Sequence, residues 1–247
     1  MTDKKNFTVI VCCALFLAVA ILCFVMLVFT GVVKFNDPPR SEYPIRGVDV
    51  SSYQGEIDWQ RLSEQNIDFA YIKATEGSNH VDECFEKNLT EARKTSLRIG
   101  AYHFFSFDSL ASTQAENFIN TVPVFDGMLP PVIDVEFYGE YNSKPPEDIA
   151  QIKYELSTLI KLLEDRYGMT PIIYATHESY KLFIENDFFE CDVWIRDIWK
   201  YPTLPDEREW TFWQYSNRGR LKGYNGEERY IDLNVFCGSR EDFLIYP

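Results

Sequence analysis

The segment Pro131-Val-Ile-Asp-Val-Glu-Phe137 sets two carboxylates two residues apart in an otherwise apolar run. Strand side chains alternate in direction, so Asp134 and Glu136 share one face while Ile133, Val135 and Phe137 share the other. Two carboxylates that close cannot both ionise freely, and one pKa must rise. An acid kept protonated beside one kept ionised is the pairing that cleavage of a glycosidic bond requires. Asp49, in Gly47-Val-Asp-Val-Ser51, and Asp232, in Tyr230-Ile-Asp-Leu-Asn234, also sit between apolar residues. Four converging carboxylates could instead hold a divalent metal for phosphoester hydrolysis. No His accompanies them in a ligand-like motif and no Gly-rich phosphate loop is present, so the glycosidic reading leads.

Convergence needs a scaffold. β-rich runs at Ile45–Val50, Phe69–Ala74, Ile99–Phe105, Val132–Phe137, Pro171–Tyr174, Asp192–Ile195, Trp210–Tyr215 and Arg229–Val235 predict eight strands. The clearest predicted helix covers Glu147–Tyr167, where Ile149, Ile152, Leu156, Leu159, Ile160 and Leu163 recur at helical spacing, with Pro145-Pro146 before it and Gly168 to close it. Shorter helices are expected at Trp59–Gln65, Glu83–Ser96, Ser112–Asn120 and Glu178–Ile184. Alternating strands and helices imply a parallel sheet covered on both faces. Eight strands, the last three without clear helices between them, suggest a closed α/β barrel whose chemistry gathers at the C-terminal strand ends.

The chain has 247 residues and a formal net charge of −14. Residues 1–34 contain Lys4, Lys5 and Lys34 against Asp3 alone, leaving 21 basic and 37 acidic residues, a net of −16, for the remainder. Such an acid excess lacks the basic face that nucleic acid demands. Phe7 to Val33 holds 27 residues without a charge, long enough to span a bilayer with some tilt. The apolar core of a cleaved signal is only about 7–15 residues, so an uncleaved anchor over residues 7–33 is the reading. Residues 1–6 then lie in the cytoplasm and the C-terminal domain outside the cell, with secretion after cleavage as the alternative. Residues 34–44, with Pro38-Pro39 and Pro44, read as a stiff linker, and 45–247 as the working domain.

Cys12, Cys13 and Cys23 fall in the apolar stretch; Cys84, Cys191 and Cys237 fit no metal pattern and leave their pairing open. Tyr102, His103, Tyr174, Trp194, Trp213 and Tyr215 cluster near the same strand ends as the acids. Aromatic faces stack on sugar rings, although core packing accounts equally well for about half of such residues. His80 and His177 receive no role. Asn88-Leu-Thr90 matches a glycosylation acceptor pattern.

Taken in order, Gly47-Val-Asp-Val-Ser51, Tyr71-Ile-Lys-Ala-Thr-Glu-Gly77, Gly100-Ala-Tyr-His-Phe104, Asp134-Val-Glu136, Pro171-Ile-Ile-Tyr174, Trp213-Gln-Tyr215 and Ile231-Asp-Leu-Asn234 resemble glycoside hydrolase family 25, the N-acetylmuramidase lysozymes. The resemblance spans residues 45–247. It implies a TIM-like (β/α)5(β)3 barrel that cleaves the β-1,4 bond between N-acetylmuramic acid and N-acetylglucosamine, without metal or organic cofactor. Glu136 would be the general acid and then the base, and Asp134 would orient the substrate's 2-acetamido group. Asp49 and Asp232 would hold sugar hydroxyls and support the field that keeps Glu136 protonated. Tyr102, Tyr174, Trp194 and Trp213 would line the groove; Lys73, Glu76, His103, Gln214 and Tyr215 are further substrate-binding candidates in the matching motifs.

One segment departs. The family commonly carries a small residue near the position of Arg196, where this chain has the bulky, charged Arg196-Asp197-Ile198-Trp199-Lys200. The expected partners are peptidoglycan glycan strands and, through the N-terminal helix, a membrane. The rival is a non-catalytic, anchored glycan-binding protein on the same barrel.

Overall fold

A computed structural model describes residues 2–34 and 36–247, with side chains from Lys5 onward. Met1, in the predicted N-terminal tail, and Phe35, in the predicted linker, lie outside the described residues. The N-terminal body is one helix, α1 (Thr2–Phe29), whose stretch Lys5–Phe29 is long and apolar enough to cross a membrane. The second body runs from Asn36 to the C-terminus.

That second body is a closed barrel. Its strands are β1 (Arg46–Val50), β2 (Phe69–Glu76), β4 (Arg98–Phe104), β5 (Val132–Val135), β6 (Ile172–Thr176), β7 (Val193–Arg196), β8 (Phe212–Gly219) and β9 (Ile231–Phe236). A two-residue strand β3 (His80–Val81) folds back on the end of β2. Hydrogen bonding runs β1-β9-β8-β7-β6-β5-β4-β2 and returns to β1. Seven strands are parallel; β9 runs antiparallel to both β8 and β1. A two-stranded return needs only a turn, which is why no helix separates β8 from β9.

Alternation divides the barrel into two apolar layers. Inside lie Phe69, Tyr71, Val132, Ile172, Trp194, Phe212 and Phe236, all buried. Gly47 and Gly100 on the strands flanking β2 make room for them, because a Cβ at either position would fall within the ring of Phe69 or Tyr71. The outward residues of the same strands, such as Val48, Ile72, Ile133, Ile173 and Ile195, pack beneath the helices α2 (Trp59–Ser63), α3 (Phe85–Ala92), α4 (Ala111–Thr121) and α5 (Ile149–Tyr167). α5 starts where the Asp148 side chain accepts the Gln151 amide at 2.9 Å and stops at Gly168, φ 70°, as its residues predict. The helix α6 (His177–Ser179) passes into a π turn over Tyr180–Ile184.

Two features were not expected. The short helix α7 (Arg240–Ile245) closes the barrel floor: Phe243 packs on Phe69 and Phe236, and Arg98 donates to the Phe243 carbonyl at 2.6 Å. Residues 36–44 are not a free spacer but part of the barrel body. Arg46 ties them down, donating to the carbonyls of Pro38 and Tyr43, and Asn36 donates to the Asp197 carbonyl at 2.9 Å. Asn88 is 2% exposed and accepts the Trp59 indole N–H at 3.1 Å, so the glycosylation pattern is a buried packing contact in this fold. Cys84, Cys191 and Cys237 are free thiols.

Candidate active site

Each strand contributes one inward residue just above the aromatic layer, and together these line a cavity of about 770 Å³ at the barrel mouth. Asp49 comes from β1, Lys73 from β2, Tyr102 from β4, Asp134 and Glu136 from β5 and the segment after it, and Tyr174 from β6. Arg196 from β7, Gln214 from β8 and Asp232 from β9 complete the ring. All four predicted carboxylates therefore face one space. Asp232 reaches it in an unexpected way: it lies near the start of β9, and only the antiparallel course of that strand sets it directly opposite Asp49.

Asp49 is held by two side-chain amides. Asn234 donates to its Oδ1 at 2.7 Å and Gln214 at 3.1 Å. Those amides are fixed in turn, since Trp194 Nε1 donates to Asn234 Oδ1 at 3.0 Å and Tyr174 Oη donates to Gln214 Oε1 at 3.0 Å. Such a chain sets orientation before any ligand arrives. Asp134 contrasts with it: its Oδ1 is buried and has no hydrogen-bond partner among the described residues.

Burial raises the pKa of every one of the four acids. For Asp134 the rise is large, with the Glu136 charge adding to burial and Lys73 opposing. Asp232 is also pushed well up, by burial and then by Asp49. Asp49 rises through burial while the amides of Asn234 and Gln214 pull it back. Glu136 rises through burial, restrained by Arg196 and reinforced by Asp49. Burial followed by neighbouring carboxylates keeps Tyr102 and Tyr174 as neutral phenols able to donate.

The remaining predicted residues divide by strand parity. Trp194 forms the floor of a deeper recess beneath Asp134 and Glu136 rather than a wall of the open groove. Lys73 lines the cavity and pairs with Glu76 at 2.7 Å, but Glu76 itself stands outside the lining. His103 points into the helix layer, between Thr75 at 2.7 Å and Gln114 at 3.0 Å, and burial pushes its pKa down to about 4. Trp213 and Tyr215 also face outward: Trp213 donates to the Asp197 carbonyl at 2.8 Å, and Tyr215 accepts from Arg46 at 3.0 Å. The reason is positional. Tyr102 and Gln214 occupy the inward places, so His103, Trp213 and Tyr215, each one residue away, cannot.

Sequence reasoning gave no role to Tyr53 and His177, which line the cavity, or to Asn234, which holds Asp49; Arg196 and Trp199, in the segment that departs from the family pattern, line the cavity as well. Asn234 was accessible as the i+2 neighbour of Asp232 on the same strand face. Tyr53, His177 and Trp199 sit on or beside loops, where no periodicity reports direction, whereas Arg196, two residues after Trp194 on β7, follows the strand alternation.

Comparison with known proteins agrees with this geometry. The sequence profile of glycosyl hydrolases family 25 matches residues 48–224. A solved family 25 glycosyl hydrolase from Bacillus anthracis is similar at 56% identity, covering 87% of this chain and 97% of its own, with a TM-score of 0.81. Lysozyme M1 of Streptomyces globisporus is 31% identical over 83% of this chain and 72% of its own. A protein of Escherichia coli O6:H1, YegX, is 33% identical over 98% of this chain and 94% of its own. A profile spanning most of the barrel, and a cavity ringed by acids where that fold does its chemistry, lead to one conclusion: this chain belongs to family 25 of the glycosyl hydrolases and is a glycoside hydrolase.

Proposed function

We infer that this chain hydrolyses peptidoglycan at the β-1,4 bond between N-acetylmuramic acid and N-acetylglucosamine. The observation that carries the reading is the β5 pair: Glu136 and Asp134 face one cavity, both with raised pKa, and Asp134 Oδ1 is buried without a donor. Glu136 protonates the leaving glycosidic oxygen and then, as a carboxylate, takes a proton from the attacking water. The Asp134 carboxyl, which lines the cavity, accepts the N–H of a 2-acetamido group and turns the acetamido oxygen toward the anomeric carbon. The Asp49 charge helps Glu136 retain its proton and stabilises an oxocarbenium-like transition state, while Asp232 opposite it holds sugar hydroxyls. Tyr102 and Tyr174 donate to sugar oxygens.

The apolar helix Lys5–Phe29 supports retention of the enzyme at a membrane, with its barrel outside the cell and its substrate the adjacent wall. Identification of the new reducing end tests the bond assignment. Insoluble peptidoglycan is digested, the fragments are reduced with borohydride, and the reduced sugar is identified by mass spectrometry. Reduced muramic acid is expected; reduced glucosamine refutes the bond assigned here.

Arg196 carries a further expectation. Its charge opposes the rise in the Glu136 pKa. Without it Glu136 keeps its proton to higher pH, and a general acid then stays active further into the alkaline range. Arg196→Ala should therefore move the alkaline limb of the pH–rate profile upward, measured as initial release of soluble fragments across the pH range. A limb that stays in place or moves down contradicts this role.

A further inference from the structure

Trp199 stands in the wall of the catalytic cavity with 67% of its surface exposed. Its indole has no ring contact or hydrogen bond among the described residues, so the ring contributes little to the fold. Its backbone, in contrast, is rigidly held. The buried Asp197 carboxylate accepts the amides of Trp199 at 2.9 Å and Lys200 at 3.0 Å through Oδ1, and its Oδ2 pairs with His177 Nε2 at 2.9 Å. The Asp197 amide donates to the Gln214 carbonyl at 3.1 Å, and its own carbonyl accepts from both Trp213 and Asn36. The segment before the barrel and the core of β8 thus brace one turn, and that turn presents a bare indole to the cavity.

We propose that Trp199 is the platform of an outer saccharide subsite, stacking on the apolar face of a sugar ring beyond the one held at Asp134 and Glu136. Exposing an indole on a fixed turn costs apolar hydration that a ligand face recovers on binding. A sugar ring suits it because one face of the ring is C–H while its hydroxyls and acetamido group point to the rim, where Arg196 and His177 stand. A volume of about 770 Å³ continuous from the carboxylates to Trp199 leaves room for more than one ring. The subsite makes the enzyme favour long glycan strands over their terminal fragments. This rests on the peptidoglycan reading above.

The test uses the full chain in detergent as Glu136→Gln, with glycan strands released from peptidoglycan and fractionated by length, and affinity measured by calorimetry. Affinity should climb with strand length when Trp199 is present. Trp199→Ala should lose about five-fold on the longest strands, with the loss shrinking as strands shorten, and Trp199→Phe should recover most of it. An equal loss at every length, or none at the longest, overturns the outer subsite while leaving the catalytic reading intact. Failure of the Trp199-containing protein to bind any strand overturns both.

Discussion

Glu136→Gln removes turnover on peptidoglycan by about a thousand-fold or more, while the protein stays folded and still binds glycan strands. The substitution keeps the shape and hydrogen-bonding size of the side chain but takes away the transferable proton. Because the alcohol leaving group of a glycoside is poor, protonating it is the step that the barrel cannot replace from elsewhere. The phenols of Tyr102 and Tyr174 also face the cavity, but burial raises both pKa values too far for either to serve. Release of reducing ends from insoluble peptidoglycan, followed against thermal unfolding of the same sample, checks both halves of the expectation. Retained turnover would remove Glu136 from its role. Loss of turnover together with loss of the unfolding transition would show only that the barrel failed to form.

Asp134→Asn is the second large effect, and it separates activity from stability. Turnover should fall by about a hundred-fold or more, because an amide cannot carry the negative charge that polarises an acetamido group in the transition state. Stability should move the other way. The folded pKa of Asp134 lies above its unfolded value, chiefly through burial and then through the Glu136 charge. Above the unfolded pKa the native state holds more protons than the unfolded chain, so stability declines as pH rises from about 4 toward the folded pKa. Asn carries no such cost. The variant should therefore melt higher than the parent at neutral pH, with the gap closing as pH falls below about 4, where Asp134 becomes protonated in both states. Melting curves at a series of pH values decide it; a variant less stable than the parent at neutral pH would place Asp134 in a structural role.

Both expectations depend on acids whose inward placement could be read from residue order. Alternation in Pro131–Phe137 assigns Asp134 and Glu136 to one face, and the aliphatics between them assign that face away from the helices. The same rule, applied to Trp213-Gln-Tyr215, excludes both aromatics once Gln214 is inward, and it excludes His103 beside Tyr102. Their motifs drew attention to the right strands and, within them, to residues on the wrong side. In the same way the helix over Glu147–Tyr167 and the apolar span after Phe7 carry their own signals: spacing in one, unbroken length in the other.

What residue order alone determined was thus local: which segments become strands and helices, which carboxylates share a face, and where an apolar helix long enough to cross a membrane lies. Tertiary structure decided the rest. The direction of β9 is set by how the sheet closes, and that direction brings Asp232 opposite Asp49. The Asp197 turn takes its course from partners on the segment before β1 and on β8, remote in sequence, and so His177 and Trp199 reach the cavity by contacts that no periodicity encodes. The raised pKa values likewise arise from burial, which exists only once the barrel has closed and excluded water from four acids that a flexible chain would leave solvated.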